Sequence, residues 1–237
     1  MNVPLSSVES CPLISCLCVT HQKPEMLRRV IGCFQCQTYP NRQLVLVYEE
    51  TDLPTARYIA NQSFNDKVKV IMVPRNSPEL SLGALRNLSV EQADGEYLCQ
   101  WDDDDWYDPE RLSTQLKVLL YSGKPACILS RWIILDSCRK VAYLSNRRLW
   151  EGSIMCRRDI MVRKPYAAVS KGEDTEIIHD LYRQGHLEVI EDVPEIYVYI
   201  YHGGNTWESE HFNEIFACST KLSEESCDQI LSIVGDY

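Results

Sequence analysis

Four consecutive carboxylates, Asp102-Asp103-Asp104-Asp105, stand between Trp101 and the pair Trp106-Tyr107. Neighbouring carboxylates repel one another, and large aromatics on both sides imply partial exclusion of water. Such a group needs a cation. Hard oxygen ligands suit Mg²⁺ or Mn²⁺, ions that keep open positions for substrate phosphates. A metal held there would neutralise a departing diphosphate. A second acidic motif, Gly172-Glu173-Asp174-Thr175, opens a predicted helix, where an Asp read from its position alone is a cap. His202 lies in Tyr201-His202-Gly203-Gly204-Asn205-Thr206-Trp207, and the two glycines let the backbone approach a ligand closely. Cys33 and Cys36 form a C-x-x-C in a helical pattern. No second close pair completes a four-ligand site, so the eleven cysteines read as free thiols.

Alternating strands and helices must position these groups. Residues 13–19, 43–48, 68–73 and 96–101 read as apolar strands. Residues 24–37 read as a helix opened by Pro24, with Met26, Leu27, Val30, Ile31 and Phe34 as its apolar stripe. Residues 81–93 read as a second helix, and Asp108-Pro109-Glu110 opens a third. This alternation implies an α/β fold with a mainly parallel central sheet covered on both faces. Such sheets place ligands beyond the carboxyl ends of their strands, here just after Val19, Tyr48, Val73 and Trp101. The second half is less regular. Residues 126–135 and 140–144 read as strands joined by a turn, 153–157 as a short strand, 173–184 as a helix ended by Gly185, and 195–201 as a strand. Two short helical segments follow. With no repeat and no long linker, residues 1–237 read as a single domain.

The chain has 237 residues and a formal net charge of −10. At 45% hydrophobic and 24% charged it is an ordinary globular composition, which excludes a disordered or fibrous chain. The acidic balance argues against nucleic acid as a partner. No apolar run reaches the roughly 18 residues of a membrane span. The uncharged run over residues 10–22 lacks a basic leader and follows Glu9, so it reads as a strand and not as a signal peptide. A cytoplasmic location is the expectation, and peripheral membrane association is compatible with it. The sequons at Asn61 and Asn87 are then chance matches.

The stretches Leu82-Gly83-Ala84-Leu85-Arg86-Asn87, Ala93-Asp94-Gly95-Glu96-Tyr97, the Asp run, and Trp106-Tyr107-Asp108-Pro109-Glu110-Arg111-Leu112 form a pattern. With Pro12-Leu13-Ile14-Ser15 they resemble the family 2 glycosyltransferases of the GT-A fold, over residues 12–205. The resemblance implies a Rossmann-like α/β/α sandwich. Residues 12–105 would be a nucleotide-binding half, 106–205 an acceptor-side half, and 206–237 a C-terminal helical segment. It implies an inverting, metal-dependent transfer of a sugar from a nucleotide-sugar, expected to be UDP-linked, to a hydroxyl of a glycan or other acceptor. The family's D-x-D motif matches Asp102 and Asp104. Asp102 and Asp103 would lie on the nucleotide-sugar side and Asp104 on the Mn²⁺ or Mg²⁺. The nucleotide base would lie near Thr20 and His21. Glu49, with Glu50 beside it, stands where the family usually has aspartate. Arg86 would contact the base or the diphosphate. Asp174 matches the general base, with Glu173 contacting the acceptor or bracing Asp174. A helix start favours an ionised carboxyl, so Asp174 is expected to be charged and of modest basicity. His202 would ligate the metal or touch a phosphate, and Trp150 would line the acceptor side. The Q-x-x-R-W motif of processive synthases is missing after Asp174, which implies single transfers.

Two other readings stay open at this stage. One is a non-catalytic nucleotide-sugar or carbohydrate-binding module, favoured by the departure at Glu49 and Glu50. The other is a sugar-phosphate nucleotidyltransferase, which would want a glycine-rich phosphate loop where this chain has Thr20-His21-Gln22-Lys23-Pro24.

Overall fold

In the computed structural model, which describes residues 11–235, the apolar runs become the centre of a sheet. The elements in chain order are β1 (Ile14–Val19), α1 (Pro24–Gln35), β2 (Arg42–Glu49), α2 (Leu53–Ala60), β3 (Val68–Val73), α3 (Leu82–Gln92), β4 (Tyr97–Gln100) and β5 (Trp106–Tyr107). There follow α4 (Arg111–Ser122), β6 (Ala126–Leu129), β7 (Ile133–Asp136), β8 (Val141–Leu144), β9 (Trp150–Arg157), α5 (Arg158–Arg163) and α6 (Thr175–Arg183). The last are β10 (Leu187–Ile190), β11 (Tyr197–Tyr201), α7 (Ser209–Cys218), β12 (Thr220–Lys221) and α8 (Glu224–Val234).

A seven-stranded sheet has the order β10-β6-β9-β4-β1-β2-β3. All its strands run one way except β9, which is antiparallel to both neighbours. In β1 and β2, Ile14, Cys16, Cys18, Leu44 and Leu46 pack into one apolar cluster, and Leu17, Val45 and Val47 into another. Side chains of a strand alternate between faces, so both faces of this sheet are buried. Helices α1 and α4 cover one face, while α3, α5 and α6 cover the other. The expected α/β/α sandwich with a mainly parallel sheet is what the chain forms. Among the described residues, no helix is long and apolar enough to cross a membrane.

A smaller sheet, β12-β8-β7-β11-β5, adds a feature that the periodicity did not reveal. The stretch expected as one strand over 126–135 divides between the two sheets. Its break is fixed by hydrogen bonds: the Ser130 amide donates to the Ile190 carbonyl at 2.9 Å, and the Trp132 amide to Ser145 Oγ at 3.0 Å. Trp132 is wholly buried there and stacks on Trp150. Helix α2 was also unread. Asp52 caps it, but only Thr55 among its residues is buried, so it shows no apolar stripe.

One close approach matters for the site. Helix α3, capped by Ser81, receives the loop that precedes α6: the Gly83 amide donates to the Val169 carbonyl at 3.0 Å. A Cβ on Gly83 would stand 1.8 Å from the Ala167 carbonyl oxygen. Asn87 makes two further bonds to Tyr166, at 2.8 and 2.9 Å. Gly83→Ala must therefore push the loop off the helix. We expect a loss of about 2 kcal/mol in urea denaturation, despite roughly 1 kcal/mol of better helix propensity. Unchanged stability would contradict the contact.

Candidate active site

Strand β4 delivers the acidic run to the carboxyl end of the large sheet, and the structure gives its four members different surroundings. Asp105 is wholly buried and faces inward. It accepts hydrogen bonds from the Tyr197 hydroxyl and, at 3.0 Å, from the Ile200 amide, which ties the run to β11. Burial and the charges of Asp104 and Asp102 push its carboxyl well above the ordinary value. Asp104 is also buried, yet two donors meet its Oδ2: Lys23 Nζ at 2.6 Å and His202 Nε2 at 3.1 Å. Burial alone would raise its pKa, but the His202 hydrogen bond and the Lys23 charge outweigh it and hold the carboxyl far below the usual range. Asp103 lies 3.6 Å from Lys23 Nζ; burial and the adjacent Asp104 still raise it to about 6.

His202 is held from both sides. Asn205 accepts from the His202 amide at 3.0 Å and donates to the Ile200 carbonyl at 2.8 Å. The Gly204 amide donates to His202 Nδ1 at 3.2 Å, which leaves the imidazole proton on Nε2, facing Asp104.

Arg86 joins the two acidic motifs. From the buried face of α3 its Nη2 donates to Asp102 Oδ1 at 2.8 Å and its Nε to Glu173 Oε1 at 2.7 Å. Burial would lower the guanidinium pKa, but Asp102 and Glu173 more than compensate and raise it. Its fork is thus committed to protein carboxylates. Glu173 is buried against Arg86. Gln100 makes a second link. Its amide nitrogen lies 3.4 Å from Asp102 Oδ2 and 3.5 Å from Asp174 Oδ2, and its oxygen accepts from the Tyr166 hydroxyl at 3.2 Å. The two acidic motifs therefore meet at one place. Strand β9 approaches as well: a Cβ on Gly152 would lie 3.1 Å from Asp102 Oδ2.

Asp174 corrects two expectations. It precedes α6, but its side chain caps no helix amide. Nor does the helix start keep it strongly acidic. Burial, Glu173, Glu151 and Asp102 raise its pKa to about 7, and the guanidinium of Arg86 offsets them only in part. The reason is that Arg86 is already shared by Asp102 and Glu173.

The remaining expected residues spread around this centre. Thr20 is buried at the end of β1. His21 Nδ1 sits 3.9 Å from Glu49 Oε2, both partly open to solvent, while Glu50 turns away to accept from the Arg75 amide at 2.8 Å. Trp150 is packed inside, between Trp132, Tyr197 and Tyr199, so it offers no open platform. Sequence reading missed Lys23 and Gln100. Lys23 lies in the loop after β1, one of the strand ends singled out from the pattern. It is presented by Gln22, whose φ of 56° is left-handed and whose amide is held by Asp52 at 2.7 Å.

The family model described as "Glycosyl transferase family 2" matches residues 15–193. This chain belongs to glycosyl transferase family 2. An uncharacterized glycosyltransferase of Methanocaldococcus jannaschii, MJ1057, is 29% identical over 123 residues, which cover 52% of this chain and 42% of that one. One from Haemophilus influenzae is 30% identical over 121 residues, 51% of this chain and 44% of that one. The match thus spans less than half the length of these relatives. Among solved structures, TarS 1–349 of S. aureus in complex with UDP-GlcNAc has a TM-score of 0.65 at 15% identity, covering 93% of this chain and 71% of that one. The mannosyltransferase PcManGT from Pyrobaculum calidifontis, in complex with GDP-Man and Mn²⁺, has a TM-score of 0.62 at 13% identity, covering 86% and 60%. At such identities these likenesses establish the GT-A fold.

Whether this family 2 site suits a divalent ion is tested by its own donors. Among the described residues, no three acidic, His or Cys side chains form a ready-made cage. Mg²⁺ and Mn²⁺ need none, since one or two carboxylates plus substrate phosphates suffice. Asp104 is ionised and buried, and it already draws the ammonium of Lys23 to 2.6 Å. A carboxylate that recruits a cation so closely fits the ion, provided Lys23 yields. His202 fits as a second ligand only if its proton moves to Nδ1, which requires Gly204 to give up its hydrogen bond.

The buried Asp174 has a further consequence. Its carboxyl titrates at about 7 in the folded chain against an ordinary 3.8. The folded state binds that proton more tightly, so stability is lost as pH rises through this window. Asp174→Asn removes the ionisation. It should be more stable than the parent chain at about pH 8, by a few kcal/mol, and lose that advantage by about pH 4. Urea denaturation at the two pH values checks this; equal stability at the higher pH would contradict the environment described.

Proposed function

We propose that this chain is a non-processive, inverting glycosyltransferase that moves a sugar from a nucleoside-diphosphate donor to an acceptor hydroxyl. The observation that carries the reading is the Gln100 amide within 3.5 Å of both Asp102 and Asp174. Asp102, read here on the sugar side of the donor, and Asp174, read as the base, thus share one hydrogen-bonding partner, which supports a single reaction centre. Residues up to Asp105 would bind the nucleotide, with Thr20, His21 and Glu49 around the base and Asp102 and Asp103 toward the ribose and sugar. Those from Trp106 on would build the acceptor side.

In this reading the acceptor hydroxyl oxygen attacks C1 of the sugar while its proton passes to Asp174. The C1–O bond to the diphosphate breaks, and the electron pair leaves with the nucleoside diphosphate. A single displacement of this kind inverts C1. A base with a pKa near 7 is matched to the task at neutral pH, where half is ionised and its proton affinity is already high. Arg86 and Glu173 fix its loop. Asp104, with His202, would hold Mn²⁺ or Mg²⁺; such an ion supplies charge neutralisation to the departing diphosphate. Lys23, released from Asp104, is then free to face the same phosphates. The donor is read as UDP-linked, as in the TarS complex; the GDP-Man complex of PcManGT makes GDP the comparison to run.

Two measurements test this. With UDP- and GDP-sugars, kcat/KM should rise with pH through about 7 and level off above it. Asp174→Asn should lose about 10²–10⁴-fold in transfer yet keep donor binding; full transfer by that variant would remove Asp174 as the base. Separately, UDP with Mn²⁺ should raise the Tm of the parent chain but not of Asp104→Ala. Stabilisation by UDP that is indifferent to Mn²⁺ would remove the ion from the mechanism.

A further inference from the structure

With Trp150 buried, the acceptor side needs another surface, and one exposed tryptophan lies where it is wanted. Trp207 is 41% exposed, in the loop that leaves His202 toward α7. Its indole is not loose. It stacks on His211 of α7, with centroids 4.6 Å apart and planes 23° from parallel. That helix is anchored by Phe212, fully buried against Tyr199 and Tyr201.

The loop that carries Asp174 reaches across to the same tryptophan. Lys171 Nζ lies over the indole, 5.5 Å from its centroid, and 3.2 Å from Glu208 Oε1. Lys171 precedes Asp174 by three residues, a span of at most about 10 Å of chain. Trp207 follows His202 by five. The indole thus joins the base loop to the loop of His202. Of the other exposed apolar side chains, Val169 lies in the base loop two residues before Lys171, while the rest lie on helices or on β3, outside both loops.

The chemistry of the cluster selects its ligand. A large aromatic face wants a flat apolar surface. One ammonium and one carboxylate beside it cancel in charge, so neither an anion nor a cation is favoured. Both are strong hydrogen-bonding groups on flexible, solvent-exposed stems. A neutral pyranose has matching properties, with C–H groups on one face and hydroxyls around the rim. We propose that Trp207 is the platform of an acceptor subsite, on which a saccharide ring lays its C–H face in place of the Lys171 ammonium and opposite His211, while the displaced Lys171 and Glu208 bond its hydroxyls. Calling the ring the acceptor's rests on the glycosyltransferase reading; binding of a ring at Trp207 does not.

The test uses methyl glycosides of glucose, galactose, mannose and N-acetylglucosamine with the full chain, read by saturation-transfer NMR, and UDP with Mn²⁺ in parallel. At least one glycoside should receive saturation on its ring protons. Trp207→Ala should weaken it about tenfold or more, Trp207→Phe should keep most of it, and UDP binding should be the same in all three. With a working donor and acceptor, Trp207→Ala should raise the acceptor KM and leave the donor KM alone. Undiminished glycoside binding in Trp207→Ala, parallel loss of UDP binding, or no glycoside bound by the parent chain would each overturn the subsite. Glycoside binding that depends on Trp207 in a chain that binds no nucleotide would uphold the subsite while sinking the glycosyltransferase reading.

Discussion

A single guanidinium decides how charge is shared in this molecule. Arg86 lies 16 residues before one of its carboxylate partners and 87 before the other, and it bonds both from a buried position. Without it, Asp102 and Glu173 would be two desolvated anions with every reason to move apart. A planar fork suits the job better than a lysine, because two separate N–H groups point at two separate acceptors. The close seat of the 165–174 loop on α3, made by Gly83, brings Glu173 within reach of that fork. Fold and electrostatics are one constraint here. Because the fork is spent on Asp102 and Glu173, burial and an excess of negative neighbours leave the third carboxylate, Asp174, with a raised pKa.

The same division explains the aspartate run. In sequence it is four equal residues. In the structure, Asp102 is Arg86's partner and Asp104 is held by Lys23 and His202. Asp105 is a structural tie to β11, and Asp103 faces the same Lys23 ammonium from farther away. Four adjacent carboxylates are tolerable because they point to different cations or into the core, not because a single counter-ion serves them all.

How much of this was legible follows from what a one-dimensional pattern records. The large sheet announced itself, since strands buried on both faces must be apolar throughout, as β1 and β2 are. That the acidic run needs counter-charge was legible from its composition and its place at a strand end; that Lys23 and Arg86 supply it was not. The division of residues 126–135 was not, because an apolar stretch reads the same whether it stays in one sheet or steps into the next. The state of Asp174 was also hidden. Its position predicts a cap and an acidic carboxyl, and burial together with the charges of Glu173, Glu151 on β9 and Asp102 after β4 reverses that. Lys23 was hidden for a different reason: nothing in a lone lysine foretells the left-handed turn at Gln22 that aims it inward.

The tie between Asp105 and β11 sets a length standard for the chain. Tyr197 and Ile200 are clamped by one carboxylate, so the count of residues from Ile200 to His202 fixes which way the imidazole points. One residue gained or lost inside that interval would turn the ring to the opposite side. Beyond Asn205, which closes the interval by bonding back to Ile200, such an accident has no comparable effect. Diversity in loop length should therefore accumulate after this asparagine, so that descendants of this chain can reshape what they accept while the acidic corner keeps its alignment.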